Sequence, residues 1–268
     1  MHINIEDVEP VEISDGVFER VLMKPEDSRP GGLGARHYVV KEDSTVTFEE
    51  PLTEFQHYII SGVGFYGANL VHGDTTIFAP AGTHGPTSQR KGLRRHSIAN
   101  VGEGELRMFT IAYKVPRPAF RWAKSRVRNL HQVPTPHQTR YGYTQIITEE
   151  EHAIMGALKM HAIDIQTHPG GYGRGKIDPK TGKKIGGRNP EEILYCLRGL
   201  GEFMGGLEGG EVSTAKPGSF GYVTEGALHG IWHSTSDVLQ YVCMEFIEHD
   251  KSWTERGYQG EVSPADWK

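Results

Sequence analysis

The sequence is short of several things, and each shortage narrows what the chain can be. It has two cysteines in 268 residues, far too few for a disulfide framework. Both, Cys196 and Cys243, sit in apolar strand-like runs ("EEILYCLRG", "LQYVCMEF") and read as buried free thiols. No apolar run approaches the roughly 20 residues that span a bilayer, so no membrane partner is expected. The amino terminus, "MHINIEDVEPVEI", lacks the basic-then-apolar order of a signal peptide, and a cytoplasmic location is the expectation. Positive charge is also in short supply. The net charge of −5 does not suit phosphate neutralisation, so no nucleic-acid partner is expected. Long helical periodicity is missing too.

Glycine, by contrast, is abundant. The 34 glycines are spread between short apolar runs, the pattern of many turns and many strands. "RHYVV", "STVTF", "HYIIS", "TTIFA", "LRMFTIAY", "HAIDI", "ILYCL", "FGYV" and "VLQYVCMEF" all read as strands. "TEEEHAIMGALKM" opens with a capping box, Thr148 to Glu151, and suggests a short helical start. "KMHAIDIQTH" reads better as a strand.

The chain also repeats itself. "HYIISGVGFYG" pairs with "LYCLRGLGEFM", setting Gly62 against Gly199 at an offset of 199 − 62 = 137. "HSIAN" pairs with "HSTSD", and for His96 and His233 the offset is again 233 − 96 = 137. "GDTTIFAPAGTHG" answers "GSFGYVTEGALHG". A period this long indicates two copies of a domain. The expected division is an N-terminal barrel with its extension over 1–115, a basic proline-containing linker over 116–149, a C-terminal barrel over 150–250 and a tail over 251–268. The linker's four prolines deny it a continuous helix or central strand.

These markers resemble the cupin superfamily, and in particular the two-barrel bicupins. The family's first motif, G-x5-H-x-H-x3,4-E-x6-G, survives here as Glu192, six residues and Gly199. Its second, G-x5-P-x-G-x2-H-x3-N, survives as Gly218, Thr224 for the proline, Gly226, His229, and His233 for the asparagine. "HPGG" at 168–171 resembles the turn before the first motif. The motif's two histidines should fall near 185 and 187, where the chain reads "KKIGGRNPEE" and has none.

The resemblance implies an all-β fold of two tandem jelly-roll-like cupin barrels, with a homodimer by family analogy. It also implies a divalent metal, Fe, Mn, Ni or Zn, held by Glu192 and His229 with His168 reaching in. Glu192, His229 and His233 are the candidate catalytic groups. The implied function is that of a small-molecule enzyme with its site in the C-terminal barrel. The family admits dioxygenase, isomerase, decarboxylase and aminohydrolase chemistry. The competing expectation is a metal-free binding protein or a degenerate structural bicupin.

The substrate is expected to be anionic. Two basic loops lie beside the barrel mouths: Arg174, Lys176, Lys180, Lys183, Lys184 and Arg188 in the second half, and Arg90, Lys91, Arg94 and Arg95 in the first. An arginine fork suits a carboxylate or phosphate. Arg188, Arg174 and Tyr195 are the candidate substrate contacts. In the first half Phe55 stands where Glu192 stands in the second, which argues against a conventional metal site there. His57 and His84 are read as polar residues of the barrel interior or rim.

Overall fold

The computed structural model describes residues 1–28, 32–81, 95–114, 125–132, 143–147, 159–168, 176–177, 180, 184–185, 187–188, 191–205, 211–224, 227–233 and 239–247. The described chain is strand, turn and three 3-10 turns, with no α-helix among the described residues. No helix in it is long and apolar enough to cross a membrane. In chain order the strands are β1 (His2–Asn4), β2 (Val11–Ser14), β3 (Val17–Met23), β4 (Leu33–Val40), β5 (Thr45–Phe48) and β6 (Thr53–Ser61). There follow β7 (Val63–Tyr66), β8 (Asn69–His72), β9 (Thr75–Ala79), β10 (His96–Asn100), β11 (Leu106–Lys114) and β12 (Arg126–Asn129). The second half holds β13 (Tyr143–Ile147), β14 (Lys159–His168), β15 (Lys176–Ile177), β16 (Lys184–Ile185), β17 (Gly187–Arg188) and β18 (Glu191–Arg198). The last five are β19 (Gly201–Gly205), β20 (Glu211–Ala215), β21 (Ser219–Val223), β22 (Leu228–His233) and β23 (Leu239–Ile247).

Two compact units result. One is Val8–Val133 with Glu149–Lys159; the other is Met1–Asp7 with Pro134–Thr148 and Met160–Lys268. The first unit is a seven-stranded sheet, β12-β9-β6-β11-β4-β3-β2, and a four-stranded one, β5-β10-β7-β8. Val46, Phe48, Phe55, Ile59, Ile77, Ile98, Leu106 and Met108 form its core. Alternation along each strand sends these residues to one side. The second unit has a six-stranded sheet, β1-β21-β18-β23-β14-β13, a four-stranded sheet, β17-β22-β19-β20, and the ribbon β15-β16. Its core holds Leu194, Cys196, Phe203, Val223, Ile231, Leu239, Tyr241 and Cys243.

The repeat is visible within each unit's own hydrogen bonding. Gly62 and Gly199 follow β6 and β18 with φ of 91° and 85°, a conformation that favours glycine. Two residues on, a Cβ on Gly64 would lie 2.5 Å from the Ala99 carbonyl oxygen, and one on Gly201 would lie 2.3 Å from that of Trp232. Both positions therefore require glycine. One marker shifts, however. Gly64 pairs with Asn100 and Gly201 with His233, so His233 corresponds to Asn100. By the same alignment, four residues earlier on each strand, His96 corresponds to His229. The connection between the two strands is four residues shorter in the second unit, which moves the true counterpart by four.

The unit boundaries also differ from the expected 1–115 and 150–250. β1 pairs with β21 in the second unit, His2 opposite Gly221 and Asn4 opposite Ser219. β12, inside the expected linker, pairs with β9 in the first unit, Val127 opposite Ile77 and Asn129 opposite Thr75. Its four residues lie between the two proline pairs, so nothing forbids a ladder there. The segment Met1–Asp7 thus belongs with the second unit, and β12 belongs with the first. The chemistry matches as well. Asn4 donates to Ser219 Oγ (3.3 Å) and accepts from the Glu6 amide (3.0 Å). Asn129 donates to Thr75 Oγ1 (3.1 Å) and accepts from the His131 amide (3.0 Å). The expected helical start at Thr148 and the tail 251–268 lie outside the described residues.

Two expected outcomes follow for stability. Asn129→Ala and Asn4→Ala should each cost about 1–3 kcal/mol, and hydrogen exchange should locate the loss in β9 for the first and β21 for the second. A uniform loss across both units would contradict these strand pairings. His37, buried at 2% exposure, supplies a pH test. Burial, then the charges of Arg20 and Arg107, lower its pKa from 6.5 to about 4. The unfolded chain binds more protons between those values, so this contribution is complete above pH 6.5 and is lost as pH falls toward 4. The loss should reach roughly 3 kcal/mol and should disappear in His37→Phe denaturation curves.

Candidate functional site

In the second unit, strand alternation puts Glu192, Leu194 and Cys196 of β18 on the inward side, and Glu192 is 0% exposed. Its position is set by two ladders, opposite Val223 on β21 and opposite Glu245 on β23. His229, 3% exposed, comes from β22, where it pairs with Gly187 of β17. The two side chains meet: His229 Nε2 lies 2.9 Å from Glu192 Oε2. On the far side of the ring, Nδ1 is 3.0 Å from the Ala227 carbonyl oxygen, which can only accept. Nδ1 therefore carries a proton, and Nε2 is the nitrogen that faces the carboxylate.

Nε2 is close to Oε2 but has no well-directed hydrogen bond. Two acceptors this near repel each other unless a proton or a cation lies between them. A third group completes the arrangement. Cys243 Sγ donates to Glu192 Oε1 at 2.8 Å, so both carboxylate oxygens are engaged.

The other expected site residues fall elsewhere. Tyr195, 2% exposed, lies on the opposite side of the sheet from Glu192, paired with Phe220 and Val242. The odd-even alternation of a strand excludes it from the pocket. His233 lies four residues beyond His229 on the same strand, about 13 Å along it, and is not adjacent to the pair. His168 ends β14, and its side chain is outside the described residues. Arg188 pairs by its backbone with Leu228, the residue before His229. Arg174, His84, Arg90, Lys91 and Arg94 lie outside the described residues.

Two positions escape the sequence reading. Cys243 reads there only as a buried thiol, and Glu245 belongs to no motif. The alternation Leu239, Tyr241, Cys243, Glu245 in "LQYVCMEF" carries the signal, since every second residue of that strand falls on one face of the sheet.

The first unit has a counterpart. His57 on β6 is 0% exposed. Its Nδ1 is 2.9 Å from Thr110 Oγ1 on β11, and its Nε2 is 2.8 Å from His96 Nε2 on β10. Phe48 stacks on His96 at 5.1 Å, and Phe55 lies parallel to His57 at 5.8 Å. Burial, then the charge on His96, holds His57 well below the ordinary histidine range. Among the described residues neither unit brings together three His, Cys, Asp or Glu side chains able to hold a metal.

No family model matches the chain, and no curated protein matches it by sequence. Solved structures do match. The E. coli protein Ylba superposes with a TM-score of 0.65 at 12% identity, over 94% of this chain and 92% of that one. A single-residue variant of oxalate decarboxylase from Bacillus subtilis gives 0.62 at 12% identity, over 92% and 77%. Vicilin from the hazelnut Corylus avellana gives 0.61 at 12% identity, over 94% and 86%. At such identities the likeness speaks for the fold alone, and it spans an oxalate decarboxylase and a vicilin. With its two barrels, its internal repeat and these neighbours, the chain has the two-barrel bicupin fold.

Proposed function

We propose that the second barrel is the reaction site of a small-molecule enzyme that works with a divalent cation held by Glu192 and His229. The observation that carries this reading is the 2.9 Å separation of Nε2 and Oε2 without a directed hydrogen bond. Two neighbouring ligands of one octahedral ion, each about 2.1 Å from it, stand about 3.0 Å apart. A nitrogen and a carboxylate oxygen suit Fe, Mn, Ni or Zn. His168, which the family resemblance implies, remains the proposed third donor. Such an ion would polarise a substrate oxygen.

The chain's own groups have separate tasks in this reading. The Ala227 carbonyl fixes the tautomer of His229, the usual role of a partner behind a ligating imidazole. Cys243 orients the Glu192 carboxylate. Arg188, whose backbone pairs with Leu228, is the proposed contact for an anionic substrate. Decarboxylation is one of the reactions open to such a site. A second reading, a metal-free binding or acid–base pocket, draws on the same closure: a single proton shared by Nε2 and Oε2 also removes the repulsion.

Metal analysis separates the two. Protein purified without chelators should carry about one divalent cation per chain, and Glu192→Gln and His229→Ala should each lose it. Adding Mn2+ or Zn2+ to the stripped protein at about 100 times the Kd should stabilise it by about 2.7 kcal/mol. A cation-free protein whose unfolding ignores these ions contradicts the proposal. Arg188→Ala should weaken binding of a small dicarboxylate roughly ten- to a hundredfold without lowering stability, and Arg188→Lys should recover part of it. Unchanged binding would make this loop ordinary surface.

A further inference from the structure

β1 brings a histidine to the inward side of the second unit, away from Glu192 and His229. His2 pairs with Gly221 on β21, and Gly221 pairs with Leu194 on β18. Residues level across a ladder share one face of the sheet. His2 and Leu194 therefore face the same way, and so, two residues along each strand, do Asn4, Ser219 and Cys196. Phe203 takes the space over Gly221, since a Cβ on that glycine would lie 2.7 Å from its ring. The His2 ring stacks on Phe203, with centroids 5.9 Å apart. Beside them is a cavity with room for about one water-sized molecule, lined by His2, Cys196, Ser219, Leu194, Phe203 and Ile231 among others.

Three polar groups meet this cavity. His2 Nε2 is buried and has no hydrogen-bond partner among the described residues. Burial is the main cause that lowers the His2 pKa from 6.5, so near pH 7 the ring is neutral and carries one nitrogen lone pair. Ser219 Oγ accepts from Asn4 Nδ2 at 3.3 Å and from the Lys216 amide at 3.0 Å. Both of its lone pairs are thereby taken, and its own proton points away from those two donors. The Cys196 thiol is directed at the Arg198 carbonyl, 3.8 Å away. Burial raises its pKa to about 12, so it stays a thiol whose sulfur is a weak acceptor.

We propose that this cavity is a binding site for a single water molecule, which accepts from the Ser219 hydroxyl and donates to His2 Nε2 and Cys196 Sγ. Three hydrogen bonds are the usual complement of a buried water. The apolar walls disfavour an ion, and an apolar occupant would leave Nε2 unmatched. The water holds the His2 proton on Nδ1 and ties β1 to both β21 and β18. Cys196 lies four residues beyond Glu192 on β18, about 13 Å along the strand, so this site does not depend on the cation proposed there.

Crystals of the full chain, with and without xenon pressure, test the assignment together with NMR of the His2 ring nitrogens. The wild type should show a peak about 2.7–3.1 Å from both His2 Nε2 and Ser219 Oγ, no xenon, and a His2 proton on Nδ1. His2→Leu removes the acceptor while keeping much of the volume; it should lose the water and admit xenon, as a dry apolar cavity does. Ser219→Ala lets the water turn, so His2 should no longer hold a single tautomer; this variant carries the test should His2→Leu not fold. Xenon in the wild-type cavity would overturn the proposal, and so would a wild-type His2 with its proton on Nε2. A water peak that persists in His2→Leu, or a His2 tautomer unchanged in Ser219→Ala, would overturn it as well.

Discussion

The 2.9 Å approach of His229 Nε2 to Glu192 Oε2 inside the second barrel is the constraint on which the rest of the second site depends. The carbonyl of Ala227 accepts the Nδ1 proton of His229, so Nε2 is the nitrogen turned toward Glu192. Neither group can retreat. Both are held in strands, by pairing with Gly187 on one side and with Val223 and Glu245 on the other. Holding a carboxylate away from water costs several kcal/mol unless its charge is matched. What lies between Nε2 and Oε2, a proton or the proposed cation, decides what the site does.

The first barrel solves the same problem differently. A second imidazole meets the histidine in place of a carboxylate: His57 Nε2 lies 2.8 Å from His96 Nε2, and burial holds His57 well below the ordinary histidine range. Phe48 and Phe55 stack on the pair. The matched Asn4 of β1 and Asn129 of β12 keep the two barrels alike at their edges while their interiors differ.

Much of the architecture is legible from residues alone. Gly62 and Gly199 mark the repeat because their backbone conformation and the close approach two residues later leave no other choice. "KMHAIDIQTH" reads as a strand and is β14 to the residue. Glu192 and His229 stand out because the family motif retains them, and the structure puts them in contact. His96 finds the wrong partner in the sequence because "HSIAN" and "HSTSD" look alike, while only strand pairing reveals a connection shortened by four residues. β1 and β12 escape for a related reason. A three- or four-residue strand has almost no periodicity of its own, and its partner is far off in sequence, at Thr75 for Asn129 and at Gly221 for His2. Tyr195 has suitable chemistry, yet a single residue of register sends it to the other side of the sheet. Cys243 and Glu245 become visible only once β23 is set against β18.

The central claim concerns the species between Glu192 and His229. Crystals grown without chelators, with diffraction recorded on both sides of the Mn, Fe, Ni and Zn absorption edges, address it directly. The account predicts an anomalous peak about 2.1 Å from both His229 Nε2 and Glu192 Oε2, absent in Glu192→Gln crystals. A map with no peak there, and with Nε2 and Oε2 aligned in a straight hydrogen bond, would contradict it.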